Sequence, residues 1–259
     1  MLKISIVTPS FNQGQFLRET INSVISQNYN NLEYIVIDGG SGDDSPKIIK
    51  EYNNSLYYWI SEPDRGHAHA LNKGFDKSTG EIMAWINSDD KYLPWTFATV
   101  NEIFTQHPDI EWIVGTNAWW NSKGTLLRAR NVYKNRHDFL SGDFKWIQQE
   151  SVFWRRSLWN RTGAFINEAY RLMVDGELWT RFFLEAKLWH AECILSGYRE
   201  HSSNRAKSHY DLCILEMESA IKQLQFNLKS VSSIETSKDY PLVIFDQHDN
   251  MWKKYSLSP

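Results

Sequence analysis

Four short apolar runs rich in β-branched residues, 4–8, 32–38, 56–61 and 81–87, each lead directly into polar or glycine-containing sequence. Between them lie segments 16–26, 46–52 and 68–77, where apolar residues recur at helical spacing, as Phe16, Leu17, Ile21, Val24 and Ile25 do. This alternation predicts a largely parallel sheet with right-handed crossovers and helices packed on it. Ligands of such sheets bind outside the carboxyl ends of the strands. The chemistry is therefore to be sought where each run stops.

The first run stops at Thr8-Pro9-Ser10-Phe11-Asn12, and the second at Asp38-Gly39-Gly40-Ser41-Gly42-Asp43-Asp44. A strand-end carboxylate such as Asp38 can accept a nucleobase N–H while a nearby ring stacks on the base. The same stretch also reads as a helix-entry loop in which Asp43 or Ser45 caps the next helix. It lacks the G-x-G-x-x-G spacing of a dinucleotide site. The fourth run passes into Asn87-Ser88-Asp89-Asp90, which places hard oxygen ligands where a divalent cation and substrate phosphates would meet. An isolated Asp-rich turn before Pro94 is the simpler alternative.

Taken in order with Glu62-Pro63-Asp64-Arg65-Gly66, these segments resemble glycosyltransferase family 2. The resemblance implies a GT-A fold, a Rossmann-like mixed sheet flanked by helices with a nucleotide-binding half and an acceptor-binding half. It further implies inverting transfer from a nucleoside diphosphate sugar, a UDP-sugar being favoured, with Mn2+ or Mg2+ as cofactor. Carried over by position, Thr8, Pro9, Phe11, Asp38 and Arg65 border the donor, Asn87 and Asp89 continue that site, and Asp89 and Asp90 serve the metal. One position departs from the pattern: Asn87 replaces the first aspartate of the D-x-D signature, and an amide is the weaker, uncharged ligand. Asp89 must then carry more of the metal site, or Asp90 must share it. His67 and His69 do not make a metal pair on a helix, since positions i and i+2 diverge. Asn72 and Lys73 either help hold the donor or lie on a solvated helix face.

The resemblance extends into the second half. Gln148, Gln149 and Glu150 look like the acceptor-side loop, and the segment from Tyr170 to Trp179 looks like the one that supplies the catalytic base. Asp175 is the candidate base, because inverting displacement needs a carboxylate to take the acceptor's proton; its alternative is a helix N-cap. Glu177 and Glu150 are reserve bases, and Trp179 is placed on the acceptor side. His201, within Tyr198-Arg199-Glu200-His201-Ser202, is the candidate metal ligand or diphosphate contact. Trp119, Trp120, Trp146 and Trp154 either stack on acceptor sugars or belong to the core.

Eight of the twelve tryptophans lie between Trp112 and Trp189, which suggests halves at 1–117 (nucleotide sugar) and 118–205 (acceptor and base), followed by a helical extension at 206–259. A net charge of -3 gives no overall basic field for nucleic acid. Cys193 and Cys213 have no zinc-type spacing and suggest a reducing compartment. No window reaches the roughly 20 apolar residues of a membrane span. The expectation is a cytoplasmic protein, peripheral at most and then at the inner face of the membrane, with the tail near Leu242 and Trp252 as a weak candidate for that contact. By family analogy its acceptor is a glycan or lipid-linked glycan of bacterial surface polysaccharide. A nucleotidyltransferase and a non-catalytic carbohydrate-binding protein are the alternatives.

Overall fold

The computed structural model describes residues 1–144, 147–229 and 238–259. Trp146 and most of the polar stretch 230–240 lie outside the described residues. The expected alternation is present. Strand β1 (Ile4–Ser10) leads to α1 (Gly14–Ile25), β2 (Leu32–Asp38) to α2 (Ser45–Glu51), and β3 (Tyr58–Ser61) to α3 (His67–Lys77), before β4 (Ile82–Trp85). All seven residues of β1 are buried, as a strand covered on both faces requires. Helix α1 turns Phe16, Leu17, Ile21 and Val24 inward, the face its periodicity marked.

The short β5 (Lys91–Tyr92) and α4 (Thr96–Gln106) precede β6 (Trp112–Gly115), β7 (Asn117–Asn121), β8 (Leu126–Arg130) and α5 (Arg136–Leu140). Next come β9 (Val152–Arg155), α6 (Arg156–Arg161), α7 (Val174–Glu185), β10 (Leu188–Ala191) and β11 (Ser196–Glu200). The chain closes with α8 (Arg205–Ser208), α9 (Tyr210–Lys229), β12 (Tyr240–Asp246) and β13 (Met251–Leu257). Nine strands form one sheet in the order β13-β12-β10-β6-β9-β4-β1-β2-β3, and β5-β11-β7-β8 form a second. The large sheet is mixed because β9 runs antiparallel to both β4 and β6 at its centre. Strand β9 enters the sheet from the 147–151 loop, which brings that loop to the carboxyl end of β4.

Five tryptophans pack across the junction between residues 1–117 and those that follow. Trp85 stacks on Trp179 at 5.8 Å, Trp112 stacks on Trp179 at 5.5 Å, and Trp154 meets Trp85 and Trp159 at 5.6 and 6.3 Å. Trp154, Trp119 and Trp120 are all buried, so their apolar area is spent in the interior. The C-terminal region, expected to be helical, contains strands as well as α8 and α9. Its last two strands extend the main sheet, with Val243 and Trp252 buried. The Trp252 ring donates to Glu102 and its carbonyl meets His107. The aromatic tail is thus part of the α/β body.

Candidate active site

The carboxyl ends of β1, β2 and β4 converge with the end of β11, because β1 pairs in parallel with both β2 and β4. Asp38, at the tip of β2, is fully buried, and its carboxylate accepts Ser41 N–H (2.9 Å), Ser41 Oγ (2.5 Å) and Ser61 Oγ (2.7 Å). The carboxylate is thereby fixed at the strand end. Thr8 is buried with its hydroxyl 3.1 Å from Tyr34 Oη, and Pro9 is buried beside it. Phe11 is 61% exposed, a free ring over this end of the sheet. Arg65 also faces solvent, in a two-pronged ion pair with Glu168 at 2.9 Å on each prong. Asn72 donates to Ile166 O, and Lys73 pairs with Glu62, so both serve local structure.

The acidic pair after β4 divides into two environments. Asp90 is buried, accepts the Arg199 N–H at 2.7 Å, and is pushed well above the usual carboxylate range by burial and then by the charges of Asp89 and Glu150. Asp89 is more open, with Oδ2 3.0 Å from His201 Nε2. The two residues are joined by Arg199, whose guanidinium is fully buried, donates to Asp89 O and pairs with Glu19 at 2.7 Å. Thr20 adds a hydroxyl within reach of Ser88 O and Asp90 O. Neither Arg199 nor Glu19 stood out in the sequence, since a buried guanidinium and a half-buried helical glutamate carry no local motif.

Asn204 braces His201: its Oδ1 accepts the His201 backbone N–H (2.7 Å), and its Nδ2 donates to Arg199 O (3.1 Å) and lies 3.0 Å from His201 Nε2. Ser203 Oγ lies 2.8 Å from His201 Nδ1. The Asp89–His201 contact is a hydrogen bond whose direction follows the imidazole tautomer. A carboxylate oxygen and an imidazole nitrogen held this close are the ligand types a divalent cation would take in place of the shared proton, completing its shell with phosphate and water. Asp90 does not fit, because its carboxyl is buried against β11. Among the described residues no group of three His, Cys, Asp or Glu side chains forms a complete protein cage.

Asn87 belongs to a different network. Its Oδ1 lies 3.1 Å from His67 Nε2, its Nδ2 donates to Gln149 Oε1 (3.2 Å), and Gln149 Nε2 donates to Trp85 O (2.7 Å). Burial holds His67 down to about 4, so the ring is neutral and its Nε2–H serves Asn87. His69 instead accepts the Arg65 N–H, confirming that the two histidines diverge.

Beyond Asn87 opens a cavity of about 360 Å³ whose polar side includes His67, Gln148, Gln149, Glu150 and Asp175. Gln148 spends Oε1 on Ala118 N–H (2.8 Å), while Gln148 Nε2, Glu150 Oε1 and Trp179 Nε1 are buried without a hydrogen-bond partner among the described residues. Unmatched polar atoms around a cavity are what a polar ligand would satisfy. Asp175 lies in the first turn of α7 and is half-buried. Burial lifts its carboxyl to about 6, against the opposing effect of backbone N–H groups. Burial likewise lifts Glu150 to about 8, with Asp175 and Asp89 adding to it. Glu177 is held by Arg181 at 2.9 Å and does not line the cavity. Glu216 on α9 went unnoticed in the sequence, yet it accepts the N–H groups of Arg171 (2.8 Å), Leu172 (3.0 Å) and Met173 (2.9 Å) just ahead of α7.

An uncharacterized glycosyltransferase of Rickettsia conorii is 28% identical over 233 residues, which is 85% of this chain and 38% of that relative. The chain thus spans about two fifths of that protein's length. An uncharacterized glycosyltransferase of Mycobacterium tuberculosis is 39% identical over 90 residues, 34% of each chain. Among solved structures, residues 1–349 of S. aureus TarS in complex with UDP-GlcNAc match with a TM-score of 0.70 at 16% identity, over 87% of this chain and 67% of that one. The mannosyltransferase PcManGT of Pyrobaculum calidifontis, in complex with GDP-Man and Mn2+, matches with a TM-score of 0.59 at 17% identity, over 90% and 76%. Both show the GT-A fold here, as the resemblance implied. The family model described as glycosyl transferase family 2 matches residues 5–184, and the chain belongs to that family.

Proposed function

We propose that this chain transfers a sugar from a nucleoside diphosphate sugar, with UDP favoured as the nucleotide, to a hydroxyl of a glycan or lipid-linked acceptor, inverting the anomeric centre. Residues 1–117 hold the donor, and residues 118–205 supply the base and the acceptor side. The observation that carries the reading is Asp175, a half-buried carboxyl open to the cavity beyond Asn87, in the same cavity as Glu150. The two carboxyls are pushed apart, to about 6 and about 8, so near neutral pH one is charged while the other keeps its proton. Asp175 takes the acceptor proton, and neutral Glu150 donates a hydrogen bond without repelling it.

Phe11 offers its ring to the base, and Asp38, whose carboxylate is taken up by Ser41 and Ser61, shapes the strand end beside it. Asp89 and His201 are the residues that would hold Mn2+ or Mg2+. Such an ion, when bound, offsets charge on the departing diphosphate. The Asn87 network orients the wall between diphosphate and cavity, so Asn87 serves as a hydrogen-bonding group. Bacterial surface polysaccharide assembly supplies acceptors of the proposed class by family analogy. No described helix is long and apolar enough to cross a membrane.

The test is release of nucleoside diphosphate from UDP- and GDP-sugars with Mn2+ and with EDTA, with and without acceptor. Release that requires the ion and rises with acceptor supports the reading. No release from any donor, despite nucleotide binding, contradicts it.

A further inference from the structure

The family match ends at residue 184, whereas α9 begins at Tyr210, and this later helix forms part of the cavity wall. Tyr210, Cys213, Ile214 and Met217 of α9 line the cavity, spaced so that one helix face points toward it. Helix α9 packs closely on α7: a Cβ added at Gly176 would come within 2.1 Å of Met217 Sδ. Leu172 and Met173 continue the same apolar surface up to Asp175. The polar groups Asn87, Gln149 and Glu150 belong to other elements, the exit of β4 and the loop before β9. The cavity is therefore mixed: Asn87, Gln149, Glu150, Glu200 and Lys207 supply polar groups, while the wall that α9 builds is apolar apart from Tyr210.

We infer that the acceptor presents an apolar group, an alkyl, acyl or aryl substituent close to the sugar that carries the attacking hydroxyl, and that α9 is the element that selects it. This inference rests on the proposed transferase reading, which assigns the donor to the strand ends and so leaves the α9 side to the acceptor. A sugar alone would satisfy the polar groups but leave the half-buried Ile214 and Leu172 facing water. An apolar substituent removes that surface from water, and each buried methylene tightens binding by roughly fourfold. The substituent sits next to the reacting sugar, so a remote lipid anchor would not meet the requirement.

The experiment uses the full chain with matched methyl, n-butyl and phenyl glycosides of glucose, galactose and N-acetylglucosamine. Acceptor KM and, separately, quenching of tryptophan fluorescence are measured; Trp85, Trp119 and Trp179 line the cavity and report occupancy. The expected result is a KM at least tenfold lower for butyl and phenyl than for methyl glycosides, with matching order in the quenching titration. Ile214→Glu should erase that difference. If this variant fails to fold, the wild-type series alone decides. Equal KM across the three aglycones, with donor hydrolysis intact, overturns the inference and leaves the transferase reading standing. Absence of metal-dependent donor turnover with every glycoside would instead count against the transferase reading, and equal quenching by all three aglycones would then overturn the inference independently.

Discussion

Asp89 Oδ2 stands 3.0 Å from His201 Nε2, a contact that joins the exits of β4 and β11 across 112 residues of sequence. Asn204 Nδ2 lies 3.0 Å from the same nitrogen and holds the ring at this end of the sheet. Asp89→Ala and His201→Ala should each remove most of the Mn2+-dependent stabilisation by UDP-sugar. In the wild type that stabilisation is worth about 2.7 kcal/mol with ligand at 100 times Kd. The check is a thermal shift with Mn2+ or EDTA. An undiminished Mn2+-dependent shift in the His201→Ala protein would remove it from the site.

Asp90 has a scaffolding part to play. Its carboxylate accepts the Arg199 N–H, an interaction that an asparagine oxygen reproduces. Asp90→Asn should therefore fold and retain metal dependence, while Asp90→Ala should lose about 1–3 kcal/mol by leaving a buried donor unmatched. Urea denaturation of both variants distinguishes this from ligation, in which Asn and Ala would weaken the metal response alike.

Glu216 is a positioning residue for the base. Three backbone N–H groups ahead of α7 depend on its carboxylate. Glu216→Ala should lower kcat by roughly tenfold or more, as expected when about 1–3 kcal/mol of loop order is lost, with little change in donor KM. Glu216→Gln keeps one strong acceptor and should recover part of the rate. Equal loss in kcat and nucleotide affinity would point to general unfolding instead.

The pH dependence follows from Asp175. Its folded pKa, about 6, lies above the ordinary 3.8, so the fold favours the protonated form. Ionisation then costs stability, a cost that sets in above the ordinary value, grows until about pH 6 and stays constant beyond. Asp175→Asn should raise Tm at pH 7.5 and leave it nearly unchanged near pH 4. The wild-type transfer rate should fall as pH drops through about 6. Thermal melts at the two pH values and a rate profile from pH 5 to 8 check both.

The strand ends were legible in the sequence because each comes from one contiguous segment: the run to Asp38 ends where β2 ends, and the run before Asn87 is β4. Likewise Asp175 appears in the first turn of α7, the helix expected after it. Partners supplied by another segment were harder to read. Arg199 reaches Glu19 over 180 residues, and Glu216 reaches Met173 over 43, and no local periodicity encodes either contact. Asn87 is instructive for the same reason. As a single letter it reads as a weakened metal ligand, whereas His67 and Gln149 show its amide to be engaged at both ends. Strand β9 escaped notice because only four residues enter the sheet, and their direction depends on β4 and β6.

The most direct test of the account is Asp175→Asn, assayed for sugar transfer at saturating donor and Mn2+ alongside nucleotide binding in the same preparation. Asparagine keeps the shape of the side chain and removes its basicity. The Mn2+-dependent thermal shift by UDP-sugar should remain while transfer falls by roughly 100 to 10,000-fold. Transfer within a few fold of wild type, from a folded protein that binds donor normally, would contradict Asp175 as the base.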